Sequence, residues 1–109
     1  MNESRLEILL TSLIPGKPDT FTLYVIALEY RSQNRFDLAL EYFKKVLEVD
    51  QNYLAVYYQL AALYQRIGEK ILAGETYLQG IRLAEKLGKD HTFNELKQAY
   101  RQFLDEDEF

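Results

Sequence analysis

The chain has no cysteine, no tryptophan, one histidine and two prolines among its 109 residues. Without cysteine there can be no disulfide staple, thiolate zinc site or thiol nucleophile, which fits a reducing compartment. Excess positive charge is missing as well. Lys and Arg number 13 against 17 Asp and Glu, a net charge of −4. That balance argues against a nucleic-acid partner, whose phosphates need a basic stripe. Long apolar runs are also absent. None approaches the roughly 18 residues of a membrane span. Ile8-Leu9-Leu10, with no clean basic region before it, is too short for a signal peptide. A soluble, cytoplasmic protein with no membrane or nucleic-acid partner is expected.

Motifs that carry chemistry are just as scarce. His91 has no metal-ligand partner at a suitable spacing. Gly68 and Gly88 are isolated helix stops rather than a phosphate-cradling loop. Glu41, Glu48, Glu69 and Glu75 fall on expected solvent faces, and nothing builds a cleft that would shift a carboxylate pair. No catalytic residue, metal or cofactor is expected, and the chain does not read as an enzyme.

What is present is ordinary globular material, 48% hydrophobic and 28% charged, with one domain's length. Its apolar residues recur at helical steps. Leu23, Ile26, Ala27 and Tyr30 form one set, and Leu38, Ala39, Tyr42, Phe43, Val46 and Leu47 a second. Tyr57, Leu60, Ala61 and Tyr64 form a third, and Leu72, Ala73, Tyr77, Ile81 and Ala84 a fourth. Alternation at period two is missing, which disfavours strands. Six helices are predicted, at about 3–13, 20–33, 36–49, 53–66, 69–87 and 91–104. Asp19 or Thr20 caps the second, Asn52 the fourth, and Asp90 or Thr92 the last. Pro15-Gly16-Lys17-Pro18 makes a loop, and Asp105-Glu106-Asp107-Glu108-Phe109 a frayed acidic tail.

The chain also repeats itself. A shift of 34 residues lays Tyr24 on Tyr58, Ala27 on Ala61, Tyr30 on Tyr64, Leu38 on Leu72, Ala39 on Ala73 and Glu41 on Glu75. Ile26 then meets Leu60, Phe43 meets Tyr77, Leu47 meets Ile81, and the turn residue Asn34 meets Gly68. The alanines let paired helices approach closely, and the rings of Tyr30, Phe43, Tyr64 and Tyr77 fill the gaps between pairs.

A helix-turn-helix period of this length with small residues at fixed places resembles the tetratricopeptide repeat family. Leu23, Ile26, Ala27, Tyr30, Ala39, Phe43 and Val46 carry the resemblance in the first repeat. Tyr57, Leu60, Ala61, Tyr64, Ala73, Tyr77 and Gly80 carry it in the second. Gln51 and Glu85 stand where the family usually has Pro, and Ala27 and Ala61 where Gly is common. The resemblance implies an all-α, right-handed array of antiparallel helix pairs in a single domain. Residues 1–19 form an N-terminal helix and loop, 20–53 and 54–87 two repeats, 88–104 a capping helix and 105–109 the tail.

Two repeats cannot bury both end faces. Phe93, Leu96, Ala99, Tyr100, Phe103 and Leu104, interleaved with polar residues, make the last helix a solvating cap. Leu6, Leu9, Leu10, Leu13 and Ile14 let the first helix cap the other end, fill a groove or pair with a second chain.

In the family, the first helix of each repeat lines a concave ligand face. The matching residues here are Phe21, Tyr24, Leu28 and Arg31, then Ala55, Tyr58, Gln59, Ala62 and Gln65. The family's carboxylate clamp of Lys, Arg and Asn is absent, because Phe21, Tyr24, Val25, Leu28, Ala55, Tyr58, Gln59 and Ala62 occupy its places. What remains is an apolar, tyrosine-bearing face for a peptide or helix, with Arg31 or Arg66 orienting an acidic partner. The expected function is non-catalytic binding of a protein or peptide. The alternative is a homo-oligomer that buries this face between copies, since helix 20–33 is apolar on every side.

Of nine tyrosines, the repeat accounts for Tyr30, Tyr57, Tyr64 and Tyr77, and the cap for Tyr100. Tyr42 and Tyr53 are expected at helix junctions, which leaves Tyr24 and Tyr58 for the face. Gly80 is expected to mark close approach of the last helix or another chain, and Gly74 to be tolerated on the convex side.

Overall fold

The computed structural model describes residues 2–13 and 19–107. Its helices are α1 (Asn2–Thr11), α2 (Thr20–Ser32), α3 (Phe36–Val49), α4 (Leu54–Arg66), α5 (Lys70–Lys86) and α6 (Asp90–Asp107). No strand occurs among the described residues. Ile14, the loop Pro15-Gly16-Lys17-Pro18, and Glu108 and Phe109 of the tail lie outside them.

Local chemistry sets the helix ends. The Asp19 carboxylate accepts from the Phe21 N–H at 3.1 Å and the Thr22 hydroxyl at 2.6 Å, capping α2. Three helices stop alike, on a left-handed residue: Asn34 after α2 (φ 60°), Gly68 after α4 (φ 86°) and Gly88 after α5 (φ 69°). The next N–H then reaches back into the last turn, Arg35 to Tyr30 at 2.9 Å, Glu69 to Tyr64 at 2.8 Å and Lys89 to Ala84 at 2.9 Å. The Asn34–Gly68 equivalence in the repeat is thus an equivalence of backbone shape.

Three ends differ from the sequence reading. α6 starts at Asp90, so Asp90 and Thr92 lie inside its first turn instead of capping it. Asp50, not Asn52, organises the turn before α4. Its carboxylate accepts from the Asn52 N–H at 2.9 Å, so Asn52 enters the turn through its backbone. At the other terminus α6 continues through Asp105 and Glu106 to Asp107, where a frayed tail is expected. A hydrogen bond of 2.7 Å from the Gln65 amide to the Glu106 carboxylate anchors this last stretch.

The chain forms two compact units, Met1–Val56 and Tyr57–Phe109, and the division falls within α4. In the first, α2 packs on α3 and α1 packs on α2. Ala27 and Ala39 are fully buried beside Ile26, Phe43 and Val46, so the helices approach without a bulky side chain between them. Tilted ring pairs fill the rest, Tyr24 with Phe43 at 6.0 Å and Tyr30 with Tyr42 at 5.5 Å. α1 brings buried Leu6 and an ion pair from Arg5 to the buried Glu29 at 3.2 Å. α2, apolar all round, is therefore covered in part by α3 and α1, while Phe21 stays exposed.

In the second unit α5 packs on α6, and Ala61, Ala73 and Ala84 are fully buried with Leu63 and Leu96. Gly80 marks a close approach from two directions. A Cβ there would lie 2.8 Å from the Tyr57 Cβ and 3.1 Å from the Leu96 Cδ1. Gly74 is not on an open convex side, because a Cβ there would stand 3.4 Å from the Phe103 ring. Leu72 also departs from expectation, 39% exposed instead of in the apolar stripe. It lies about a quarter turn from the buried row of Ala73, Tyr77, Gly80 and Ala84.

Candidate functional site

Phe21, Tyr24, Leu28 and Arg31 follow one another along α2 at steps of three, four and three, as do Ala55, Tyr58, Ala62 and Gln65 along α4. That spacing keeps each set on one side of its helix. On α2, Phe21 is 63% exposed, and Tyr24, Leu28 and Arg31 are half-buried. On α4, Tyr58 is 43% exposed, Ala55 is exposed, and Gln59, Ala62 and Gln65 are half-buried.

Tyr24 and Tyr58 occupy the same place in the repeat but not the same environment. The Tyr24 ring sits 6.0 Å from Phe43 and 5.3 Å from Tyr53, centroid to centroid. The residue one repeat after Tyr53 is Leu87, which is itself 40% exposed and has no ring to offer. Tyr58 is the more exposed of the two tyrosines. Burial raises the Tyr53 hydroxyl above its ordinary range, and the carboxylates of Asp19 and Asp50 add to the effect.

Around Tyr58, α6 supplies the neighbours. An open depression of about 210 Å³ is lined by Tyr58, Glu95, Gln98, Ala99 and Gln102. A second, of about 190 Å³, is lined by Gln65, Lys70, Phe103 and Glu106. Beneath it the Tyr77 hydroxyl donates to the Gln65 side-chain oxygen at 3.0 Å. Burial pushes the Tyr77 hydroxyl up, helped by the nearby Tyr58 and Glu106.

The sequence pattern assigns Glu95, Gln98 and Gln102 to a solvated cap and Glu106 to a frayed tail, and so misses all four as lining residues. One signal was available: these four recur at steps of three, four and four with no cation among them, a stripe rather than scattered polarity. The surroundings of Tyr58 are accordingly polar, where an apolar groove is expected. No group of three His, Cys, Asp or Glu that could hold a metal occurs among the described residues, and no helix of the described residues is long and apolar enough to cross a membrane.

Paired helices with buried small residues, left-handed stops one repeat apart and a polar terminal helix define a helical-repeat module. Tetratricopeptide repeat models match residues 21–53 and 54–87. A tetratricopeptide repeat domain protein from Salinibacter ruber is 34% identical over 78% of this chain and 86% of that one, with a TM-score of 0.74. A Bordetella parapertussis protein at 24% identity covers 98% of this chain and 90% of its own, with a TM-score of 0.81. The TPR2B domain of yeast Sti1, solved in a complex with pHsp70, is 16% identical over 96% of this chain and 84% of its own, with a TM-score of 0.85. The latter two likenesses concern the fold alone. No curated protein matches. The chain belongs to the tetratricopeptide repeat family, whose domains are in general non-catalytic scaffolds for protein–protein interaction.

Proposed function

We propose that this protein is a peptide-binding module that acts in the cytoplasm. Its contacts come from the first helix of each repeat: Phe21, Tyr24, Leu28 and Arg31 on α2, and Tyr58, Gln59 and Gln65 on α4. The observation that carries this reading is the exposure of Tyr58 beside an open depression, on a helix whose opposite side is held by buried Leu60, Leu63 and Tyr64. A rigidly mounted aromatic ring loses little entropy on binding and supplies large contact area, which is why such rings anchor interfaces. Phe21 supplies a second exposed ring on α2.

Affinity capture from the native cells, read by mass spectrometry, tests the proposal. Phe21→Ala combined with Tyr58→Ala is expected to lose the captured partner while the far-ultraviolet circular dichroism stays helical. Unchanged capture by this variant would overturn the assignment of the face. Light scattering on the same samples separates self-association: a dimer dispersed by Leu28→Glu or Tyr58→Glu would make a second copy of the chain the occupant.

A further inference from the structure

We infer that the depression beside Tyr58 receives an arginine side chain of the bound peptide. The inference rests on the peptide-binding reading and names the chemistry of the ligand. Among the described residues that line the depression, Glu95 is the only charged one. Its side chain is 57% exposed, and its contact with the His91 Nε2 is long, 3.6 Å, so it can accept a cation with little desolvation cost. Gln98 and Gln102 add two side-chain carbonyl acceptors, and neither side chain is engaged by another described residue. The Tyr58 ring supplies a face for a cation.

The lysine and arginine of α6 do not answer this demand. The Lys97 ammonium is folded over the Phe93 ring at 5.0 Å, and Arg101 precedes Gln102 by one residue, about 100° around the helix. An acidic peptide would bring its charge against Glu95. A guanidinium suits the lining better than an ammonium, because its plane stacks on a ring while its five donors reach several acceptors at once.

The probe is a capped, fluorescently labelled Ala-Ala-Arg-Ala-Ala peptide, with its citrulline and lysine counterparts, titrated into the full chain and into the isotope-labelled protein for NMR. Binding of the arginine peptide should shift the Tyr58 ring and the Gln98 and Gln102 amide resonances. Glu95→Gln should weaken it about tenfold. Glu85→Gln, on the exposed side of α5, makes the same charge change and should leave binding alone. Equal weakening by Glu85→Gln, equal binding of the citrulline or lysine peptide, or no shift at these residues overturns the inference. Capture of the native partner that needs Tyr58 but ignores Glu95→Gln leaves the peptide-binding reading standing and removes the arginine. Capture that ignores both removes the reading itself.

Discussion

The Tyr77 hydroxyl donates to the Gln65 side-chain oxygen at 3.0 Å, and the Gln65 amide passes the connection on to Glu106 at 2.7 Å. One glutamine thereby ties α5 to α4 and α4 to the end of α6. Tyr77→Phe removes the donor and leaves a half-buried acceptor behind. A loss of about 0.5–1.5 kcal/mol is expected, measured by urea denaturation, with faster amide exchange at the C-terminal end of α6.

Burial raises the hydroxyls of Tyr42, Tyr53 and Tyr77 above the usual tyrosine value of 10.0. The folded state therefore holds these protons more tightly than the unfolded chain does. Their contribution to stability is fully present below pH 10 and is lost as pH rises through the higher folded values. Thermal melts should fall progressively above pH 10, and Tyr77→Phe should flatten that fall. An alkaline limb identical in the wild type and the variant would count against the assignment of Tyr77.

Two glycines inside α5 should answer the same substitution with opposite signs. Gly→Ala in a helix interior gains about 0.8–1 kcal/mol of propensity. At Gly74 the new methyl meets the Phe103 ring at 3.4 Å, ordinary contact, so Gly74→Ala should raise the melting temperature. At Gly80 it would meet the Tyr57 Cβ at 2.8 Å, an atom fixed to its backbone. Overpacking costs typically about 1–3 kcal/mol, so Gly80→Ala should lower it.

The buried alanines make a parallel case. Ala39 and Ala73 are fully buried one repeat apart. Ala39→Leu and Ala73→Leu should each cost about 1–3 kcal/mol through overpacking. A melting curve unchanged by either would refute the packing of small residues between helices.

Arg5 and Glu29 join α1 to α2. The arginine end is largely exposed and adds little by itself, but its removal leaves the buried Glu29 carboxylate without its cation. Arg5→Ala should cost about 1 kcal/mol and speed amide exchange in α1 more than in α3.

Much of this was legible in the residues themselves. Asn34 and Gly68 sit one repeat apart at turns that only a left-handed residue closes easily, and Ala27, Ala39, Ala61 and Ala73 recur where helices touch. The expected helices match the observed ones to within three residues at every described end. Gly80 declared a close approach, although Tyr57 as its second neighbour did not follow from any local pattern. Glu29 was illegible: a glutamate on an apolar helix reads as solvated until Arg5 arrives from another helix. The lining of the Tyr58 depression was hidden likewise, since Gln98 and Gln102 look like any solvated cap until α6 lies beside Tyr58.

Periodicity, small-residue placement and turn chemistry act within one or two helical turns, so the sequence alone determined the helices, their stops and the repeat that pairs them. Which tyrosine is packed and which is open depended on what a distant residue brings alongside. Tyr53 closes on Tyr24, while Tyr58 stays exposed. Only the tertiary structure could decide that, because side-chain burial depends on neighbours in space, and an identical residue in an identical repeat position inherits none of them.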